Sequence, residues 1–314
     1  MLAHLKKLLS RIVALTEGYG EGKTQTAIPF LHIARRSALT QSTCGIINPS
    51  FCIVAQGMKT GYVGPHVVNY GAGDFVAATV DMPATGQVSK ASKEEPYVGV
   101  TMDFTREEMA AVITEANINI PELDKKTVPG SLIGKVDTEI VELFIKLLQL
   151  LKKPEESLFL ATLIKKEIVY RLLVGPNGQF FARQAISDQQ SDQIGKIVEW
   201  MKANFKSSIT IKQLAKDHNM SVSALHQKFK IVTSMSPVQY QKRLRLLEAR
   251  KLLLSGIFDV TTTAFDVGYK SSSQFNREYK RFFGLTPLKD IKKVRRTFER
   301  STDFKNDLKK RGQA

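Results

Sequence analysis

The chain has 314 residues, 43% hydrophobic and 24% charged, with two cysteines. That length suits about two domains with ordinary cores. The composition excludes a disulfide-stapled scaffold, and no apolar run approaches the ~20 residues of a membrane span. The formal charge of +16 is uneven: residues 192–314 hold 26 Lys+Arg against 11 Asp+Glu, whereas residues 1–191 hold 20 against 19. An excess confined to one segment suits phosphate neutralisation, so nucleic acid is the expected partner of the C-terminal part.

In chain order, residues 1–24 open the chain as an arm. Met1 to Leu15 has apolar positions broken by Lys6, Lys7 and Arg11, which predicts an amphipathic helix and not a signal peptide. Residues 25–103 read as strands, with Gly45–Ala55, Gly61–Tyr70 and Asp74–Met82 as β-rich segments. Gly57, Gly64-Pro65, Gly71-Ala72-Gly73 and Pro83 punctuate them. This close spacing suggests an antiparallel sandwich or barrel. From about residue 104 the period changes. Thr105-Arg106-Glu107-Glu108 can open a helix, and 135–173 holds a helical pair broken at Lys153-Pro154. Its stripes are Leu143, Leu147, Leu148 and Leu151, then Leu160, Leu163, Ile164 and Ile168. They predict core packing or, in part, a dimer interface. Val174 to Gly178 ends this domain, assigned to 25–182, and 183–193 is a polar linker.

The basic part contains a repeat. Ile211, Ala215, Asp217, Asn219 and Met220 are matched 49 residues later by Val260, Ala264, Asp266, Gly268 and Tyr269. Ser221, Ser223, Leu225, Phe229, Lys230, Ser236 and Pro237 are matched 50 residues later by Ser271, Ser273, Phe275, Tyr279, Lys280, Thr286 and Pro287. The slip falls at a tight turn. Each copy reads as helix, turn, helix, a device for reading a DNA major groove. Ile194, Ile197, Val198, Trp200 and Met201 form the apolar set of a supporting helix before the first copy. Ser236-Pro237-Val238-Gln239 opens a helix running to Leu254 that carries Lys242, Arg243, Arg245, Arg250 and Lys251. A rod of that length, about 27 Å, suits two units reaching successive groove turns roughly 34 Å apart.

Within each second helix the apolar pair, Leu225 with Phe229 or Phe275 with Tyr279, is expected to face inward. That leaves Ser223, His226 and Gln227, and then Ser273, Asn276 and Arg277, to face base edges. Arg277 is the leading base contact, since guanidinium pairs bidentately with guanine. Lys230, Lys280 and Arg281 are expected at phosphates.

These residues carry a resemblance. Residues 195–290 resemble the DNA-binding domain of the AraC/XylS family of bacterial transcription regulators. The second copy, Ala264-Phe265-Asp266-Val267-Gly268-Tyr269 and Phe275-Asn276-Arg277-Glu278-Tyr279-Lys280-Arg281-Phe282-Phe283-Gly284-Leu285-Thr286-Pro287, carries the family signature. The chain departs from it at Ser234, where the family has Gly, and at Leu288-Lys289-Asp290-Ile291, where it has a Tyr-Arg pair. The N-terminal part is similar to the sensor domain of the YqhC-like type through Ile28-Pro29-Phe30-Leu31, Gln56-Gly57-Met58-Lys59, Tyr70-Gly71-Ala72-Gly73-Asp74-Phe75 and Tyr170 to Gly178. The resemblance implies an α+β protein: a cupin-like β domain with dimerisation helices, then an all-α domain, 194–300, with two helix-turn-helix units, and a basic tail, 301–314. It implies a homodimer that binds an operator in double-stranded DNA, contacts RNA polymerase and answers a small-molecule effector. Such a regulator would activate or repress transcription in the cytoplasm, on the nucleoid.

Other chemistry is weaker. No cofactor is expected. His32 and His66 lack the paired spacing of a metal cupin, so neither a metal site nor an enzyme is expected. Gly22-Lys23-Thr24 lacks the first glycine of a phosphate loop, because residue 17 is Glu. Cys44 and Cys52 are either small buried side chains or a thiol sensor for oxidants or electrophiles. A sequence-independent architectural DNA binder is the alternative reading. It needs only Lys and Arg at the surface, and the outward Ser, His, Gln and Asn set argues against it.

Overall fold

The computed structural model describes all residues except Met1, 64–65, 121–128, 186–192 and 295–314. Most of the expected linker and all of the expected basic tail fall outside the described residues. The chain divides into two compact units: Met1–Glu199 with Ala215–Ser236, and Trp200–Leu214 with Pro237–Ala314. No described helix is long and apolar enough to cross a membrane.

The first unit is built on ten antiparallel strands: β1 (Gly22–Gln25), β2 (Leu31–Arg36), β3 (Thr43–Ile47), β4 (Ser50–Gln56), β5 (Met58–Val63), β6 (His66–Gly71), β7 (Asp74–Ala78), β8 (Met82–Lys90), β9 (Tyr97–Asp103) and β10 (Ser131–Lys135). Six form one sheet in the order β1-β2-β9-β4-β7-β10, and four form the other, β3-β8-β5-β6. The segments expected as continuous strands are divided. Gly45–Ala55 breaks at Asn48-Pro49 because β3 pairs with β8 in one sheet while β4 pairs with β7 and β9 in the other. Proline has no N–H for the ladder, so the change of sheet falls there. Gly61–Tyr70 becomes the β5–β6 hairpin, and Asp74–Met82 ends at Ala78 before β8 begins.

Alternation gives the six-stranded sheet two faces. Leu31, Ile33, Phe51, Ile53, Phe75, Val98, Val100 and Met102 enter a core shared with helices. Those are α1 (Leu2–Leu15), α2 (Arg106–Glu115), α3 (Thr138–Leu150), α4 (Pro154–Val174) and α5 (Gly178–Ala185). Phe51 stacks on Phe75 at 4.8 Å and meets Phe144 and Phe181, tying sheet to helices. The opposite face meets the four-stranded sheet through Val54, Val88 and Tyr97.

Helix starts follow local chemistry. Thr105 and Glu108 form a capping box at the expected start of α2, Asp137 caps α3, and Pro154 occupies the first turn of α4. On α3 the leucine stripe is buried, with Leu151 partly so. On α4 the stripe splits. Ile168 is buried, Leu160 and Ile164 partly so, and Leu163 is exposed. The core face of α4 instead carries Ser157, Ala161, Lys165, Ile168 and Leu172. Lys165, 7% exposed, is tolerated because its Nζ donates to Glu108 Oε1 and lies 4.5 Å from the Phe30 ring centre.

The remaining helices are α6 (Gln193–Asn204), α7 (Ile211–Asp217), α8 (Val222–Thr233), α9 (Pro237–Ser255), α10 (Val260–Asp266) and α11 (Ser272–Phe283), with residues 287–294 helical after them. They realise the two predicted helix-turn-helix copies.

Candidate nucleic-acid interface

The copies match in hydrogen bonds as well as letters. In the first turn, Met220 N–H donates to Ala215 O at 2.8 Å and Asn219 N–H to Lys216 O at 3.0 Å. In the second, Tyr269 N–H donates to Ala264 O at 3.0 Å and Gly268 N–H to Phe265 O at 2.9 Å. Asn219 and Gly268 both have positive φ, 51° and 93°. Asn tolerates this conformation, and the second position admits only glycine, because a Cβ on Gly268 would stand 2.1 Å from Lys206 O. The added residue of the second turn is Lys270.

The second helix of each copy opens on a serine cap. Ser221 Oγ accepts from Ala224 N–H at 3.1 Å, and Ser271 Oγ from Gln274 N–H at 3.4 Å. Each closes on a left-handed residue, Ser234 with φ 58° and Gly284 with φ 78°. Between the caps, Leu225 and Phe229, and then Phe275 and Tyr279, are fully buried. Their burial turns the intervening residues outward. Ser223, His226 and Gln227 on α8 and Ser273 and Arg277 on α11 are exposed, as are Lys230, Lys280 and Arg281. Asn276 is half-buried, and its amide donates to Ser272 O at 2.9 Å, so it is partly committed to its own helix. Arg277 has no partner among the described residues and is free to meet a ligand.

Several cations near α11 belong to the framework, which sequence reasoning missed. The Arg245 guanidinium donates to the carbonyls of Phe205, Lys206 and Ser207 at 2.8–3.1 Å, and Gln241 adds bonds to Phe205 and Ser207. These are carbonyls left unpaired just past the end of α6, a natural place for a cation. Glu278 accepts from Lys242, Gln274 and Tyr269 at 2.8–3.2 Å. Burial opposes its ionisation, but these hydrogen bonds outweigh that and hold its pKa below the usual carboxylate range.

Asp290 lies in the stretch that departs from the family pattern and is 4% exposed. It accepts from Arg250 Nε at 2.8 Å and Nη2 at 2.9 Å, and from the Tyr279 hydroxyl at 2.8 Å. The Tyr279 phenol is pushed up by burial and by the Asp290 charge. The triad joins α9, α11 and the terminal helical run, and Ile291 completes the same core. Lys242, Arg245 and Arg250 are thereby engaged within the protein. Of the expected phosphate contacts, Lys230, Lys280 and Arg281 remain exposed.

The two cysteines stand in different sheets, Cys44 on β3 and Cys52 on β4, and both are free thiols. Cys44 Sγ lies 3.1 Å from Thr85 Oγ1. Burial pushes the Cys52 thiol pKa up, which favours its neutral form.

Two capped helix-turn-helix units on a basic segment, following a β domain, define the architecture of a DNA-binding regulator. Comparison with known proteins agrees. A family described as the AraC-type transcriptional regulator N-terminus matches residues 27–180, and a helix-turn-helix domain family matches residues 214–293. The chain belongs to the AraC family of transcription regulators. It is 26% identical over 155 residues to the HTH-type transcriptional activator RhaS of Escherichia fergusonii, 49% of this chain and 55% of that protein. It is 30% identical to RhaS of Pectobacterium carotovorum subsp. carotovorum over 42% of this chain and 43% of that one. The chain thus spans about half the length of the curated relatives it matches. The fold is also that of ToxT from Vibrio cholerae, at a TM-score of 0.54 and 10% identity, covering 83% of this chain and 97% of that structure.

Proposed function

We propose that the protein is a sequence-specific DNA-binding transcription regulator whose two helix-turn-helix units read neighbouring segments of one major groove. The observation that carries this reading is the matched pair of capped helices. Each buries an apolar pair on one side and leaves uncharged polar side chains, with Arg277, exposed on the other. Phosphate binding alone needs only Lys and Arg, so the exposed Ser, His and Gln favour base reading over an architectural role. Ser223, His226, Gln227, Ser273, Asn276 and Arg277 are the proposed base contacts, and Lys230, Lys280 and Arg281 the proposed phosphate contacts.

In this reading residues 25–182 sense an effector and dimerise, and residues 194–300 bind the operator. The sensor is of the YqhC-like type. A second copy of the chain is the proposed occupant of the outer face of α4, where Phe159, Leu163, Tyr170 and Val174 are exposed at helical spacing. A self-complementary apolar stripe suits a two-fold interface. RNA polymerase is the further partner, and the protein works on the nucleoid in the cytoplasm. An effector acts only through a difference in affinity between two arrangements of the dimer. The test is competition with unrelated duplex DNA at about physiological salt. A regulator keeps a tight complex on selected sequence, whereas an architectural binder loses all sequences alike.

A further inference from the structure

The two copies differ at a pair of positions beside the exposed polar face. Ala224 and Lys228 of α8 are matched 50 residues later by Gln274 and Glu278 of α11. Four apart on a helix, the two side chains of each pair are neighbours on one face. In α8 they are a methyl group and a cation. In α11 they are an amide and a carboxylate, and they bond: Gln274 Nε2 donates to Glu278 Oε1 at 3.2 Å. The same oxygen accepts from Lys242 Nζ on α9 at 2.8 Å, and Oε2 accepts from the Tyr269 hydroxyl at 2.9 Å.

The carboxylate is held from both sides. Tyr269 is buried, with its ring 5.3 Å from that of Phe275, so it anchors Glu278 to the core. The other two donors lie toward solvent. Gln274 is exposed beside Ser273 in the first turn of α11, and the Lys242 side chain is 46% exposed. DNA takes both kinds of group: a glutamine amide pairs with adenine, and an ammonium meets phosphate. Here one carboxylate engages both. A single exposed ion pair holds a lysine weakly, but hydrogen bonds to an ionised acceptor are the strong kind, and Glu278 collects three.

We propose that Glu278 is a specificity-determining residue that acts by withholding. It keeps the Gln274 amide and the Lys242 ammonium from DNA, and leaves base recognition by α11 to Ser273, Asn276 and Arg277. Glu278 is thus a positioning residue that itself touches no base. This rests on the DNA-reading account above and deepens it.

The test uses the full chain, in selection from random duplex DNA and in binding isotherms at several salt concentrations. Glu278→Ala is expected to add a base preference beside the Arg277 contact, from the freed Gln274, and to steepen the salt slope by about one unit, from the freed Lys242. In the wild-type background, Gln274→Ala and Lys242→Met should change neither quantity. In the Glu278→Ala background, Gln274→Ala should remove the added preference and Lys242→Met should restore the slope. Loss of a carboxylate also lessens repulsion of DNA in general, but that effect would survive Lys242→Met. Should Glu278→Ala melt too low to assay, Glu278→Gln, with the same shape and a weaker acceptor, is expected to give the same changes in smaller degree. An unaltered motif and slope in the Glu278 variants would overturn the proposal. So would Gln274→Ala or Lys242→Met acting as strongly on the wild type as on the variant. A wild type that selects no motif contradicts the DNA-reading account instead, so the two failures are told apart.

Discussion

Arg277 and Lys280 sit three residues apart on one exposed helix and should behave differently. Arg277→Ala is expected to cost about 1–3 kcal/mol at the preferred site and to relax sequence preference there. Lys280→Ala should weaken all sequences alike and lower the salt slope by about one unit. Binding isotherms on preferred and scrambled duplexes at several salt concentrations separate the two. Asp290 acts on stability instead. Asp290→Ala removes two hydrogen bonds to Arg250 and one to Tyr279. It should cost about 3 kcal/mol, seen as a lowered denaturant midpoint with unchanged slope. The second helix of each copy was legible because the repeat shows which positions face inward. Asp290 was not legible, because its partners are 40 and 11 residues away in the chain and meet it only through tertiary packing.

At the scale of elements, the caps carry the most sequence information. Thr105 with Glu108, Asn219, and Pro154 all stand where local chemistry predicts. Ser234 is the exception: the matched position in the second copy is Gly284, and both are left-handed. Ser234→Gly removes the Cβ cost of that conformation and should stabilise the protein by about 0.5–1 kcal/mol, raising Tm by a few degrees in a thermal melt. A lower Tm would mean that the serine side chain contributes more than its strain costs. Strand limits were less legible than caps. The β-rich letters from Gly45 to Ala55 run through a change of sheet, and which sheet a strand joins is decided by partners distant in sequence. On α4, Leu163 and Ile168 both fit a helical stripe, yet one faces out and the other in. Five residues apart, they stand about 140° apart around the helix, and the core face carries Lys165 paired with Glu108, which no apolar pattern anticipates.

For the whole molecule, the uneven charge points to the C-terminal part for DNA contact, and the family resemblance implies sensing and assembly in the N-terminal part. The outer face of α4 is distinct from its core face, so assembly can be tested without unfolding. Leu163 is 49% exposed. Leu163→Glu should convert a dimer to monomer in sedimentation velocity while leaving the melting curve of the monomer intact, since the core residues Ala161, Ile168 and Leu172 are untouched. An unchanged dimer would place the interface elsewhere.

The measurement that bears most directly on the central claim is selection of bound sequences from random duplex DNA, run in parallel with wild type and Arg277→Ala at about physiological salt. The account predicts that wild type enriches a motif with two information-bearing segments about one helical turn apart. Arg277→Ala should then lose information in one segment and keep the other. Absence of any motif, or equal loss in both segments, would contradict the assignment of α8 and α11 as separate reading helices.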